Sequence, residues 1–243
     1  MHNGFLTGAS YVLLGLRWLV RPRLRRFVII PLLVNILLFG TAIWWGTSEF
    51  NALLNWVLGY LPAWLDWLRW LLWPLFAVTV LLVCFYTFTL AANFIAAPFN
   101  GLLAERVENL ASPDSIRPAS RPLGQEIVTA PLTELKKLVY FLLWALPLLI
   151  LFFIPGINVA ASLTWLGFNA WMLALQYLDY PLGNHAIAFR EQRRIFAKRR
   201  MLVLGFGSAV LLLTMLPVLN FVVVPAAVIG ATLLWVEQFP KAG

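Results

Sequence analysis

Long stretches without a charged residue constrain this chain more than any other feature of its sequence. There are four of them, of 22, 35, 41 and 36 residues: Phe27–Ser48, Trp70–Ala104, Leu138–Leu178 and Met201–Val236. A helix needs about 20 apolar residues to cross the ~30 Å hydrocarbon core of a bilayer. A water-soluble fold of this size cannot bury so much apolar surface, since 62% of the 243 residues are hydrophobic and only 12% are charged. The sequence therefore predicts an all-α integral membrane protein.

The first two runs (27–48 and 70–104) are long enough for single transmembrane helices, whereas the third (138–178) and fourth (201–236) are interrupted near their middles. The interruptions are a Pro and an Asn in each run, and they leave four arms of 16 to 21 residues: Pro155 and Asn158 in the third, Pro217 and Asn220 in the fourth. These arms are close to the lower limit for a spanning helix. We interpret each pair of arms as a helical hairpin that only partly penetrates the bilayer. Four ordinary crossings by tilted or kinked helices are the alternative.

Basic residues indicate the orientation of the chain in the membrane. Lys and Arg outnumber Asp and Glu by 18 to 10, and they gather before the first run and in the segments 105–137 and 179–200. The connection between the first two runs is instead rich in tryptophan, which is typical of the lipid interface. Because cytoplasmic flanks carry the excess of Lys and Arg, we expect both segments to be cytoplasmic in a single membrane domain, 1–243. A single protomer with so few full crossings encloses little interior for a pore. We therefore also expect a homo-oligomer.

The strongest local motif is Arg21-Pro22-Arg23-Leu24-Arg25-Arg26, just before the first run. Pro22 is suited to the first position of a helix, which would leave the next backbone N–H groups without partners. Such N–H groups bind anions, and guanidinium groups bind tetrahedral oxyanions in bidentate geometry. A basic flank that contacts lipid phosphates is the alternative interpretation. The oxyanion interpretation places a site at Arg23, Leu24, Arg25 and Arg26.

A second motif, Glu105, Arg106 and Glu108, directly follows the second run. If the helix continues, Glu105 and Glu108 lie on one face, three residues apart, and can hold an arginine from another segment, such as Arg25, Arg26, Arg190 or Arg193. Ionisable groups at such a depth usually face a cavity or a partner. We therefore predict a pore-lining or ion-pair network of these three residues, with a surface helix end as the alternative. His185 is interpreted as a structural histidine.

Several chemical signatures are absent from the sequence. There is no G-x-x-x-x-G-K-[ST] phosphate loop, no H-E-x-x-H motif and no Cys/His cluster with metal-ligand spacing. None of the four runs contains an interior Asp or Glu that could relay protons through the membrane. We expect that the protein is not an enzyme and that it binds no metal, cofactor or nucleic acid. A channel-like route through the membrane fits these absences better than a pump.

Four stretches of the chain resemble the CysZ family of bacterial inner-membrane sulfate permeases: Pro22–Asn35, Ala96–Glu108, Tyr180–Asn184 and the tail from Leu216 to Thr232. The resemblance implies sulfate uptake for cysteine synthesis, without a separate energy module. It also implies a multi-pass oligomer in the bacterial inner membrane, with two full spans and two partly penetrating helix pairs.

The family's sulfate site is a Gly-Leu-Arg-Arg stretch. This stretch corresponds to Arg23, Leu24, Arg25 and Arg26, with Arg23 in place of the glycine. The implied partners are sulfate, membrane lipids and further copies of the chain. The alternative function is a membrane-shaping or scaffold protein that does not transport.

Overall fold

The computed structural model describes residues 4–60, 67–113, 123–154, 156–216 and 220–239. Within these ranges the regular structure is helical and there is no strand, which confirms the all-α expectation. In chain order the helices are α1 (Phe5–Leu19), α2 (Arg26–Leu58), α3 (Leu68–Ala111), α4 (Leu123–Leu151), α5 (Asn158–Asn184), α6 (Phe189–Ala197), α7 (Arg200–Thr214) and α8 (Asn220–Gln238). Among the described residues, no helix combines the length and the apolar character that a membrane crossing requires.

Both predicted interruptions coincide with breaks between helices. Helix α4 ends at Leu151 and α5 begins at Asn158, while α7 ends at Thr214 and α8 begins at Asn220. In the first break Gly156 has a φ of +85°, a conformation that favours glycine. The side-chain amide of Asn158, oriented to satisfy its hydrogen bonds, donates to the carbonyls of Phe152 and Ile154 at 3.2 and 3.3 Å. Asn158 thus hydrogen-bonds two carbonyls of the connection that follows α4, one of which, that of Ile154, also accepts from the N–H of Ile157.

The chain divides into two compact units, Met1–Arg25 with Asn100–Gly243, and Arg26–Phe99. In the first unit, α1 packs extensively against both α7 and α8, and α5 packs against the same two helices. Helices α7 and α8 each contact α1 more than they contact one another. The centre of this unit is therefore a long-range assembly around α1, a helix that the charge-free runs did not indicate.

Close approach of α1 and α7 depends on glycine. A Cβ built at Gly8 would overlap the backbone carbonyl of Leu202, and one at Gly205 would overlap the carbonyl of Phe5. Any larger residue at either position would force the two helix backbones apart. Small residues allow the same kind of backbone contact between helices in membranes.

The second unit contains α2 and the first part of α3. An aromatic cluster joins the two helices: the rings of Phe50 and Phe76 stack with centroids 3.5 Å apart, and Phe50 also meets the edge of Trp73. Much of the remaining apolar surface is exposed, including Leu37, Trp44 and Trp70. Exposed apolar side chains in such density indicate a surface that contacts lipid or another protein.

Candidate functional site

Residues 21–25 form a hydrogen-bonded turn between α1 and α2. The carbonyl of Arg21 accepts hydrogen bonds from the N–H groups of Leu24 and Arg25, at 2.9 and 3.1 Å. The expectation that Pro22 starts a helix with free amides at 23–25 is therefore wrong for Leu24 and Arg25. The regular helix begins at Arg26, because the chain completes a turn before it. Any oxyanion at this place would be bound mainly by side chains.

A single side chain of residues 21–26 is buried, and the others are exposed. Leu24 is completely buried, whereas Arg23, Arg25 and Arg26 are exposed. Leu24 anchors the turn through its apolar side chain, and the flanking guanidinium groups reach solvent. Two of the arginines in this segment also make cation–π contacts. The guanidinium carbon of Arg21 lies 3.5 Å from the centroid of the Trp18 ring, and that of Arg26 lies 5.2 Å from the centroid of the Phe27 ring.

The acidic motif lies in the last part of α3, which continues through it as expected. Glu105 and Arg106 are exposed, but Glu108 is only 5% exposed. Oε1 of Glu108 lies 2.6 Å from Nε2 of His185. The prediction that Glu108 pairs with an arginine is therefore wrong. Its partner is His185, directly after the end of α5. The three residues of the predicted network therefore do not all face the same side: Glu108 faces the protein interior, whereas Glu105 and Arg106 face outward.

Three polar contacts, which we call the α3–α5 clamp, connect the end of α3 to the end of α5. Nδ2 of Asn100 donates to Oη of Tyr180 at 3.2 Å, and Nδ2 of Asn184 donates to the carbonyl of Gly101 at 3.1 Å. The Glu108–His185 pair is the third contact. These residues belong to, or directly follow, two stretches that the sequence singled out separately. Their spacing of 77 to 83 positions along the chain gave no sign that they meet.

One carboxylate oxygen in the clamp has no hydrogen-bond partner among the residues that the structure describes. Oε2 of Glu108 is buried and lacks one, while Oε1 binds His185. A buried carboxylate is stable in its charged form only when it is paired and hydrogen-bonded. The histidine is therefore the principal group that compensates for the burial of Glu108.

A second polar cluster, which the sequence did not predict, is centred on Asp179, directly after the third run. Nζ of Lys137 lies 2.5 Å from Oδ2 of Asp179 and 2.7 Å from Oε1 of Glu134. Nε2 of Gln192 donates to Oδ1 of Asp179 at 2.7 Å. Burial lowers the pKa of Lys137, but attraction to Asp179 and hydrogen bonds to Asp179 and Glu134 outweigh this effect, so the pKa is raised overall. The cluster ties α4, α5 and α6 together.

Arg193, an arginine considered as a partner for the acidic motif, contacts aromatic rings. Its guanidinium carbon lies 4.5 Å from the ring centroid of Tyr140 and 5.2 Å from that of Phe189. Arg190, the other α6 candidate, is exposed. Helix α6 therefore places one arginine against the protein and presents others to its surroundings.

Comparison with known proteins gives a match over most of the chain. Residues 11–225 match the family model described as "Sulfate transporter CysZ/Etoposide-induced protein 2.4". A protein of Pectobacterium atrosepticum named "Sulfate transporter CysZ" is 42% identical over 235 residues, which cover 96% of this chain and 86% of that protein. Proteins with the same name from Pseudomonas aeruginosa PAO1 and Pseudomonas fluorescens Pf0-1 are 41% and 43% identical. Each alignment covers 96% of this chain, and 96% and 94% of the respective relative.

Proposed function

This chain belongs to the sulfate transporter CysZ/Etoposide-induced protein 2.4 family, and on that premise we propose that it is a permease for sulfate uptake across a membrane. Relatives named as sulfate transporters align with nearly its whole length. The structural observation that carries the proposal is the turn in which Arg23, Arg25 and Arg26 are exposed around the buried Leu24. The imported sulfate would supply sulfur for cysteine synthesis.

Sulfate binding in this proposal uses the side chains of the turn. A guanidinium group has a rigid fork of N–H donors that matches two oxygens of a tetrahedral anion. Three guanidinium groups would replace much of the hydration shell that a dianion loses, and charge-assisted hydrogen bonds are the strong ones. Leu24 keeps the turn in place as a buried anchor, while Arg23, Arg25 and Arg26 hold the anion.

The proposed membrane layout follows the runs of the sequence. Residues 27–48 and 70–104 would be full spans, and the helix pairs within 138–178 and 201–236 would enter the bilayer only partly. Segments 105–137 and 179–200 would be cytoplasmic in a multi-pass protein of the bacterial inner membrane. The end of α4 at Leu151 before the start of α5 at Asn158, and the end of α7 at Thr214 before the start of α8 at Asn220, support this arrangement, because a hairpin needs a non-helical apex that protein or water covers.

A channel-like homo-oligomer is the proposed assembly. The exposed Glu105 and Arg106 would face the conducting path, and Glu108 would fix that part of α3 by binding His185. Exposed apolar surface on α2 and α3 supports contact with lipid or with further copies of the chain. Passive conduction would not require a bound cofactor or nucleotide.

The first test is uptake of radiolabelled sulfate by liposomes that contain only this protein. We expect flux above that of empty vesicles without ATP. No flux above empty vesicles would contradict transport and would favour the membrane-scaffold alternative. Flux measured with and without a proton gradient shows whether the route is passive.

The binding site is tested with the double variant Arg25→Ala/Arg26→Ala. A hydrogen bond to a charged group contributes about 1.5–3 kcal/mol, so loss of two such groups should weaken sulfate binding roughly 100-fold or more. The matched control is Arg190→Ala/Arg194→Ala, which removes two exposed positive charges from α6. Equal losses of sulfate affinity in both double variants would mean that only the net charge of the protein matters. Unchanged sulfate binding in Arg25→Ala/Arg26→Ala would place the site elsewhere.

A further inference from the structure

The outward face of α1 combines apolar side chains with a polar groove. Exposed residues recur at helical spacing along it: Leu6, Ser10, Leu13, Arg17 and the C-cap residue Val20. Leu6, Leu13 and Val20 are 81%, 57% and 78% exposed. The opposite face, which includes Gly8, Tyr11, Val12 and Gly15, is buried. Helix α1 is therefore amphipathic in an unusual sense, with apolar residues on the face that the protein does not cover.

A groove of about 380 Å³ lies along this face and extends to the end of α8. Arg17 lines it with a positive charge and Glu237 with a negative charge, and the hydroxyl-bearing side chains of Thr7, Ser10 and Tyr11 complete its polar part. Leu13 also lines the groove, so its polar part adjoins the exposed apolar row. A ligand with both charges and an apolar extension would match all of these features.

The carboxylate of Glu237 is held in place although the residue is exposed. Oη of Tyr11 donates to Oε2 of Glu237 at 2.8 Å, and Nε2 of Gln238 donates to Oη of Tyr11 at 2.9 Å. Burial is the main cause that raises the pKa of Tyr11 to about 12, so its hydroxyl stays a donor at neutral pH. The tyrosine thus positions the carboxylate, which lines the groove.

We propose that this groove binds the headgroup of a zwitterionic phospholipid with a primary ammonium group, the phosphatidylethanolamine class. Arg17 binds the phosphate, Glu237 binds the ammonium, and the acyl chains lie along Leu6, Leu13 and Val20. The site is separate from the sulfate-binding turn, and its occupancy does not depend on transport.

Charge complementarity selects this ligand among others of similar shape. An anionic lipid would satisfy Arg17 but would leave Glu237 without a cation. A choline headgroup carries the positive charge on a methylated nitrogen, which has no N–H to donate to Glu237. Inorganic phosphate would make no use of the apolar row. Amphipathic helices that lie in the interface bind lipid through buried apolar area together with headgroup electrostatics.

The experiment measures lipid binding to the full-length detergent-solubilised protein by native mass spectrometry. Phosphatidylethanolamine, phosphatidylcholine and phosphatidylglycerol with identical acyl chains are added in turn. We expect phosphatidylethanolamine to bind about tenfold more tightly than phosphatidylcholine, because one charge-assisted hydrogen bond distinguishes them. Equal binding of the three lipids, or tightest binding of phosphatidylglycerol, would overturn the proposal.

Two variants assign the roles. In Glu237→Gln the side-chain oxygen can still accept from Tyr11, so the fold should be kept while the preference for phosphatidylethanolamine over phosphatidylcholine disappears. Arg17→Gln should weaken the binding of phosphatidylethanolamine and of phosphatidylcholine to a similar degree. The control is Glu191→Gln/Arg194→Gln, an exposed pair of opposite charges on α6, which should leave all lipid affinities unchanged. A preference retained in Glu237→Gln, or lost equally in the control, would refute the assignment.

Discussion

The two units of this protein differ in how many of their apolar residues they bury. In the first unit, α8 is buried along most of its length, and α1 approaches α7 so closely that glycine is required at the contact. In the second unit, α2 and the first part of α3 join through an aromatic cluster and leave many large apolar side chains exposed. The first unit therefore has a packed core of its own, although α4 and α5 within it also expose apolar side chains such as Leu143 and Val159. Among the described residues, the second unit has no such core and depends more on what surrounds it.

The largest expected effect comes from matched glycine substitutions in the two units. In Gly8→Leu the new side chain overlaps the backbone of Leu202, and we expect a loss on the order of 3 kcal/mol or more of stability. Gly40→Leu in α2 is the control, because among the described residues no atom outside the helix's own backbone lies within 4 Å of a Cβ built there. Thermal unfolding in detergent measures both. Equal destabilisation by the two variants would remove the contrast between the units.

A somewhat smaller effect is expected at the α3–α5 clamp. His185→Ala leaves Oε1 of Glu108 buried without its hydrogen-bond partner, and a buried polar group left unsatisfied costs about 1–3 kcal/mol. Removing the carboxylate charge as well, in Glu108→Gln/His185→Ala, should recover part of that loss.

A double-mutant cycle with the single variants measures the coupling between these two residues. Additive losses would mean that Glu108 and His185 are independent, and the clamp would then be only a set of neighbouring side chains. Sulfate uptake by the same variants shows whether the position of α3 matters for transport.

The smallest effect concerns the pH dependence of the Asp179 cluster. The pKa of Lys137 is raised above 10.5, so its contribution is fully present below that pH and is lost as pH rises through the folded-state pKa. Wild-type protein should therefore lose stability in strongly alkaline solution more steeply than Lys137→Met. Parallel unfolding curves for the two proteins across that range would exclude a stabilising ion pair with Asp179.

Local rules were enough to predict the helix breaks and the continuation of α3. Proline removes a backbone donor and disfavours helix in the residue before it. Pro155 and Pro217 lie outside the described residues, but the helices end before them and begin again after them. Proline alone does not end a helix, because Pro181 and Pro225 lie inside α5 and α8. The basic turn was recognised from its composition, but its hydrogen bonding was not. Whether the N–H groups of Leu24 and Arg25 stay free depends on whether a nearby carbonyl can reach them. The carbonyl of Arg21 accepts hydrogen bonds from both.

The contacts that organise the site could not be read from the sequence. Glu108 meets His185 across 77 positions and Lys137 meets Asp179 across 42, and neither pairing has a local signal. Helix α1 was not predicted as a structural centre, because its glycines and hydroxyl residues give it no long apolar run. Its importance comes from the backbone contacts that those glycines permit.

The sequence by itself determined the all-helical class, the positions of the two interruptions and the clustering of arginines before α2. These properties depend on residues that are neighbours along the chain. Only the tertiary structure decided which charged groups are buried together, which face of α1 is covered, and that Leu24 is buried beside exposed arginines. Burial and pairing are properties of contacts between distant segments, and those contacts exist only after the helices have packed.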